Sequence, residues 1–298
     1  MLDRYVIGEV KRISPEAPVP VLAVSEEKSV AGGAANVALN LKAIGANVET
    51  IGWFGDDERG DELFNILGQR NIGVDQRFRF STAPTISKSR VTSSNQQICR
   101  VDREASTESY SPDLKVLGSD ISKKVKLADA VIVSDYGKGF VTNQLLGIVS
   151  ENARFLSIDP KPSRLLEYVN PDLLTPNRFE ALELAGLSRE SCEPFPQEDV
   201  VGKIFEKFAP KMLAVTLGAD GMLLATDGKI DKIIPTFAKE VFDVSGAGDT
   251  VIAALTLGLI GEQNFAEAAE FANLAAGVVV GKVGTATVSP EEILGLVN

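Results

Sequence analysis

An aspartate set in a glycine-broken turn, just ahead of a long apolar run, is the strongest chemical signal in the sequence. Residues 243–250 read DVSGAGDT and lead directly into the apolar run 251–259. Gly246 and Gly248 let the backbone approach a ligand closely, and the first turn of a helix leaves N–H groups without partners. That geometry suits an anion such as a phosphoryl group. The helix dipole contributes only about 0.3 to 2 kcal/mol per charge, so hydrogen bonds from the turn must act with it. Asp249 stands within this first turn. It either takes a proton from a substrate hydroxyl or is a helix-start residue that complements the dipole.

Other motifs carry weaker signals. In GGAAN, Gly32 and Gly33 precede Asn36 at the opening of a helix, which turns backbone and one amide toward a polyhydroxyl ligand or makes a simple glycine turn. In TPNRFE, Asn177 and Glu180 are three apart and share a helix face. Asn177 equally serves as an N-cap with Glu180 completing a capping box. Thr216, Gly218 and Gly221 form a glycine turn between two apolar runs, which is also how an ordinary hairpin reads. Lys88 and Arg90 are two apart on a strand-like run and project from one face, as Arg100 and Asp102 do on the next run. The face is either a cationic site or a solvated edge. Two look-alikes fail: Val251 occupies the third glycine position of a dinucleotide fingerprint, and 277–282 lacks the spacing of a P-loop.

Composition narrows the chemistry. The 298 residues contain no histidine, which excludes Ser/His/Asp hydrolysis, Cys/His proteolysis and HExxH zinc chemistry and leaves a carboxylate, Lys or Tyr as the base. Cys99 and Cys192 are far apart and suggest neither a disulfide framework nor a cysteine metal site. A net charge of −11 argues against nucleic-acid or anionic-membrane partners, while an anionic small substrate needs cations concentrated locally. No apolar run reaches the ~18 to 20 residues of a membrane span, so the expectation is a soluble, cytoplasmic protein.

The elements that must position these residues alternate. Short apolar runs at 48–54, 130–134, 155–159 and 212–217 read as buried strands, and 34–44, 60–70, 143–151 and 178–185 read as helices. The order implies βαβ units around a mostly parallel central sheet in one α/β domain. Two stretches break the pattern: 19–24, and two runs within 77–103 joined by Thr92, Ser93, Ser94 and Asn95. These predict an antiparallel flap. Helices at 246–259 and 265–280, rich in small apolar residues, should be packed.

Taken in order, GGAAN, TPNRFE, TLGADG and DVSGAGDT resemble the signatures of the ribokinase, or PfkB, carbohydrate kinase family over nearly the whole chain. The resemblance implies a single ribokinase-like domain over 1–298: a mostly parallel sheet flanked by helices, with a small β lid from about 5–25 and 77–103 that excludes water. It makes Asp249 the catalytic base and Gly246, Ala247 and Gly248 the anion hole. Asp3, Gly32, Gly33 and Asn36 match the sugar contacts. Asn177, Arg178, Phe179 and Glu180 match the segment meeting the ATP phosphates and, through Glu180 and water, Mg²⁺. Thr216, Gly218 and Gly221 match the nucleotide loop, and Asn273 the adenine pocket. A homodimer through the lids is implied, and a monovalent-cation requirement is left open.

Within the family, MLDRY, RISPEAPVPVL, NQQICRVDRE, SDYGKG, IDPKP and GVVVGKVGTATVSP are similar to the kinase domain of heptose 7-phosphate kinase/ADP-heptose synthases. The implied reaction is ATP-dependent phosphorylation of the anomeric hydroxyl of D-glycero-β-D-manno-heptose 7-phosphate, toward the ADP-heptose of lipopolysaccharide. Lys88, Arg90, Asp135 and Lys138 then fall on the sugar-phosphate side. The alternatives are a kinase for another sugar or nucleoside, and a non-catalytic sugar-binding relative. Two departures stand out. The family carries an apolar strand and Gly-Asp ahead of MLDRY, so the central sheet is expected to lack its first strand and Asp3 to be displaced. With no histidine, the HxGH motif of a nucleotidyltransferase domain is absent, which leaves the kinase half.

Overall fold

The computed structural model describes residues 1–93, 96–164, 166–237, 243–282 and 284–297. It opens with two long antiparallel strands, β1 (Leu2–Ile13) and β2 (Pro20–Ala31), followed across Gly32 and Gly33 by α1 (Ala34–Ala43). Four two-residue strands, β3 (Glu49–Thr50), β4 (Phe54–Gly55), β5 (Gly73–Val74) and β6 (Arg79–Phe80), flank α2 (Glu58–Gln69) and pair as β3–β5 and β4–β6. β7 (Ser87–Ser93) and β8 (Gln96–Arg103) then return to β1, giving an outer sheet in the order β2-β1-β7-β8.

The rest of the chain builds the body: α3 (Leu114–Leu127), β9 (Val131–Ser134), α4 (Asn143–Asn152), β10 (Leu156–Asp159), β11 (Leu173–Leu174), α5 (Arg178–Leu184) and α6 (Gln197–Phe208). β12 (Met212–Thr216), β13 (Met222–Thr226) and β14 (Lys229–Ile234) follow, then α7 (Ala247–Ile260), α8 (Phe265–Val280) and α9 (Pro290–Val297). The sheet order is β14-β13-β12-β11-β10-β9, parallel from β9 to β12 and antiparallel beyond.

Side-chain alternation divides the core between the two faces of this sheet. Leu213, Val215 and Leu223 pack with α3 to α6, whereas Ala214, Met222 and Leu224 pack with the alanine-rich faces of α7 and α8. Parallel strands buried on both faces read as unbroken apolar runs, which is why the body was legible.

The outer sheet departs from expectation. Its strands occupy 2–13, 20–31 and 87–103 where the lid was expected at about 5–25 and 77–103, and Arg79–Phe80 pairs with β4 instead of entering it. Nor is it wholly antiparallel, because β1 and β7 run parallel at its centre. The run 48–54 is not one strand but parts of two small pairs. Ser94 and Asn95, expected at the flap's turn, lie outside the described residues, as does the side chain of Cys192; Cys99 is free and exposed. Among the described residues no strand pairs with the outer edge of β9, and no helix is long and apolar enough to cross a membrane.

Candidate active site

Gly246 caps α7 in a left-handed conformation, φ 82°, and a Cβ there would stand 2.7 Å from Asn36 Nδ2. Glycine therefore both permits the turn and clears a path for the Asn36 amide, which donates to Asp249 Oδ2 at 2.7 Å. Tyr136 donates its hydroxyl to Asp249 Oδ1 at 2.5 Å. Burial pushes the Asp249 carboxyl up to about 6 despite these two donors, with Asp3 adding to the rise. A carboxylate with that affinity for a proton is suited to general-base work near neutral pH.

The N–H groups of Gly246, Gly248 and Asp249 have no partner among the described residues. Ala247 is a correction to the expected anion hole, because its N–H donates to Val244 O at 3.2 Å and closes the turn. Asp243 fixes the same turn by accepting from Ser245 N at 2.8 Å and Gly284 N at 3.0 Å. Burial opposes its ionisation, but those hydrogen bonds prevail and hold the carboxyl below its usual range.

Asp249, Gly246 and Gly248 line a cavity of about 200 Å³ with Asp135, Asn177, Glu180 and Thr216. Four lining residues, Tyr136, Asp159, Lys161 and Thr175, were not singled out from sequence. Asp159 is driven well above the usual carboxylate range by burial, then by the Glu180 and Asp249 charges. Asp135 is bound on both oxygens, by Gly137 N at 2.7 Å and the Tyr168 hydroxyl at 2.7 Å, so its carboxylate shapes the turn that presents Tyr136.

On the α5 side both readings of TPNRFE hold: Asn177 and Glu180 form a capping box and also line the cavity. Glu180 accepts from Lys161 Nζ at 2.8 Å and Asn177 N at 3.1 Å. Among the described residues no three acidic or thiol side chains stand close enough to hold a metal directly. The set suits a hydrated Mg²⁺, which keeps several waters and contacts protein carboxylates through them.

Arg178 and Phe179 do not enter the cavity lining. Arg178 clamps Glu193, Asp220 and the Leu217 carbonyl, and Phe179 is exposed beneath Arg189. Gly218 and Gly221 shape the β12–β13 hairpin. Gly221 has φ 92° and its Cβ position lies 1.9 Å from Ile234 O, so Gly221→Ala should lower stability by about 3 kcal/mol in thermal unfolding. Asn273 donates to Pro235 O at 2.6 Å, bracing the segment before residues 238–242, which lie outside the described residues.

The outer sheet brings its cations to one face. Register pairs Asp3 with Lys88 and Tyr5 with Arg90, then Lys88 with Asp102 and Arg90 with Arg100. Asp3 is not displaced: it is 4% exposed, Arg90 Nη1 donates to it at 2.8 Å, and it packs so tightly on Gly32 that a Cβ there would lie 2.1 Å from its Oδ2. Arg100 is held by Asp102 and Lys138 by Glu104 at 2.6 Å. Lys88 has no ion pair among the described residues. Burial, then the Lys138 charge, lower its pKa.

Comparison with known proteins agrees with this geometry. The family model described as pfkB family carbohydrate kinase matches residues 1–292. A bifunctional protein HldE of Sulfurimonas denitrificans is 41% identical over 297 residues, covering 98% of this chain and 61% of the relative. The Pseudomonas aeruginosa (strain LESB58) protein of that name is 42% identical over 296 residues, with 98% and 61% covered. The chain thus spans about three-fifths of the length of these curated relatives. Among solved structures, Thermotoga maritima ribokinase aligns with TM-score 0.76 at 21% identity, covering 99% of this chain and 96% of that one. Phosphofructokinase-2 from Escherichia coli aligns with TM-score 0.77 at 20% identity, covering 99% and 94%. These last two share the ribokinase-like fold. With its family model matched over residues 1–292, and with the glycine turn and Asp249 on one cavity and Asn36 bonded to Asp249, the chain belongs to the pfkB family of carbohydrate kinases.

Proposed function

We propose that the chain transfers the γ-phosphoryl group of ATP to the anomeric hydroxyl of D-glycero-β-D-manno-heptose 7-phosphate. The observation that carries the choice of a phosphorylated sugar is Lys88, half-buried beside Arg90 and Lys138 and without an ion pair among the described residues, in a protein of net charge −11. An acidic chain has little reason to gather cations at an otherwise buried face unless an anion docks there. The heptose itself is supported by the stretches shared with heptose 7-phosphate kinases.

In the proposed reaction Asp249 accepts the proton of the anomeric hydroxyl as that oxygen bonds to the γ-phosphorus and the bond to ADP breaks. The free N–H groups of Gly246, Gly248 and Asp249 stabilise the charge on the transferring group. Asp3 and Asn36 orient the sugar, and Asn177 and Thr216 face the nucleotide side. Glu180 would hold a hydrated Mg²⁺, which would neutralise phosphate charge. The outer sheet acts as the lid. Its exposed Val10, Ile13, Val24 and Val101, with Val19 in the β1–β2 connection, offer an apolar face for a second copy in a cytoplasmic homodimer.

The test is ADP release from ATP and Mg²⁺ with heptose 7-phosphate, set beside ribose, fructose 6-phosphate, adenosine and no sugar. Turnover selective for the heptose phosphate is expected. Equal or greater turnover with another acceptor would replace the substrate, and no turnover with any would replace the activity.

A further inference from the structure

Both oxygens of Asp249 already have donors, Tyr136 on Oδ1 at 2.5 Å and Asn36 on Oδ2 at 2.7 Å, and the residue is only 5% exposed. Each oxygen could accept a second hydrogen bond, but with so little of the carboxylate exposed the direct way for an acceptor hydroxyl to reach Asp249 is to take the place of one of these donors. The two are not equally held. Asn36 is 1% exposed and locked to Asn40, whose amide donates to Asn36 O at 3.0 Å and whose Oδ1 accepts from Thr250 at 3.1 Å. Tyr136 is half-buried on the turn between β9 and α4, followed by Gly137 and Gly139 at φ 66° and 106°. Its ring lies over Gly33, where a Cβ would stand 3.3 Å from Cε2. Tyr136 is the partner free to leave.

The geometry points to Tyr136 as a positioning residue that caps the base: its hydroxyl holds Asp249 when no acceptor is present and cedes Oδ1 to the hydroxyl of the arriving sugar. This rests on Asp249 being the base of a sugar kinase. The chemical consequence is restraint of a side reaction. In ATP hydrolysis a water oxygen bonds to the γ-phosphorus, the bond to ADP breaks, and a water proton must pass to a base. With Tyr136 on Oδ1, the phenol covers the approach by which water would reach that oxygen. Burial, then the Asp249 charge, drive the Tyr136 pKa well above 10, so the phenol stays a donor.

The experiment compares the intact chain with Tyr136→Phe in ADP release from ATP and Mg²⁺, with and without acceptor. The variant should raise acceptor-free ADP release on the order of tenfold, the worth of one hydrogen bond to a charged group. It should also lower KM for the acceptor, which no longer competes with the phenol, and lower kcat severalfold as the carboxylate loses one of its two holds. A residue that merely supports the fold, or one that binds sugar directly, would instead raise KM. Acceptor-free release within twofold of the parent, or a raised KM, overturns the proposal.

The second measurement needs no variant at position 136. Only four tyrosines occur, so ¹³Cζ-tyrosine spectra of the parent chain, assigned by elimination with Tyr5→Phe, Tyr110→Phe and Tyr168→Phe, follow Tyr136 directly. Its resonance should shift as acceptor saturates the site, and a resonance that stays fixed overturns the proposal. Should no sugar be turned over, the functional reading fails, while a tenfold rise in acceptor-free release still supports the cap.

Discussion

Asp249→Asn should lower kcat by about 10² to 10⁴-fold, the range of general-base assistance, with ATP affinity nearly unchanged. The amide keeps the shape of the side chain between Tyr136 and Asn36 but cannot take up a proton. Steady-state ADP release and ATP titration check the two halves, and a variant as active as the parent would remove Asp249 from the base role. The same substitution should stabilise the protein in a pH-dependent way. The folded-state pKa of about 6 lies above the ordinary 3.8, so the contribution of the protonated acid is complete below pH 3.8 and is lost as pH rises through 6. The gap, at ~1.4 kcal/mol per pH unit, comes to about 3 kcal/mol. Asp249→Asn should therefore raise Tm by about 5 °C at pH 8 and by little near pH 4. A gain of equal size at both pH values would refute the assignment of the cost to ionisation. Below pH 6 the parent's turnover should fall as the base is protonated.

Lys88→Glu should raise KM for a 7-phosphorylated heptose on the order of 10²-fold while changing KM for the unphosphorylated sugar less than about threefold. The first figure combines loss of a charge-assisted hydrogen bond with repulsion of like charges at a half-buried site. Lys88 is a sharper probe than Arg90, whose guanidinium is engaged by Asp3 at 2.8 Å and lies over the Tyr5 ring. Reversing Arg90 would disturb the lid as well as the ligand. The measurement is KM for the two sugars side by side, and an equal rise for both would take the phosphate away from Lys88.

What was legible in the sequence follows from how strongly each feature is patterned. The turn at 243–250 announced itself because two glycines and an aspartate border an apolar helix, and the structure places all three on one cavity. The Asn177–Glu180 capping box was readable from a spacing of three. Strand β1 was not, since bulges at Ile7/Gly8 and Val10/Arg12 break its alternation and much of its length is exposed. β8 was readable as the second run of the 77–103 hairpin, although it is exposed at every residue. Tyr136 and Asp159 escaped because each reaches the site from the end of a strand, where only the fold reveals the neighbours: Asp249 for the phenol, Glu180 for the carboxylate. Ala247 was over-read, for a motif does not reveal which N–H a turn engages for itself.

The order of the outer sheet, with β1 and β7 parallel at its centre, has a consequence for how such a protein can be re-purposed. Asp3, Gly32, Gly33, Asn36, Lys88 and Arg90 all lie before residue 104, while Asp249, the free amides and the phosphate-facing residues all lie after it. Most of the residues proposed to choose the acceptor thus lie in the first third of the chain, with Tyr136 and Lys138 contributed from beyond it. A chimera exchanging the first 103 residues for those of a relative would inherit a new acceptor preference and retain its donor. The seam to preserve includes Asn36 to Asp249 at 2.7 Å, Thr250 to Asn40 at 3.1 Å and the packing of Val37 against Ile252 and Ala253.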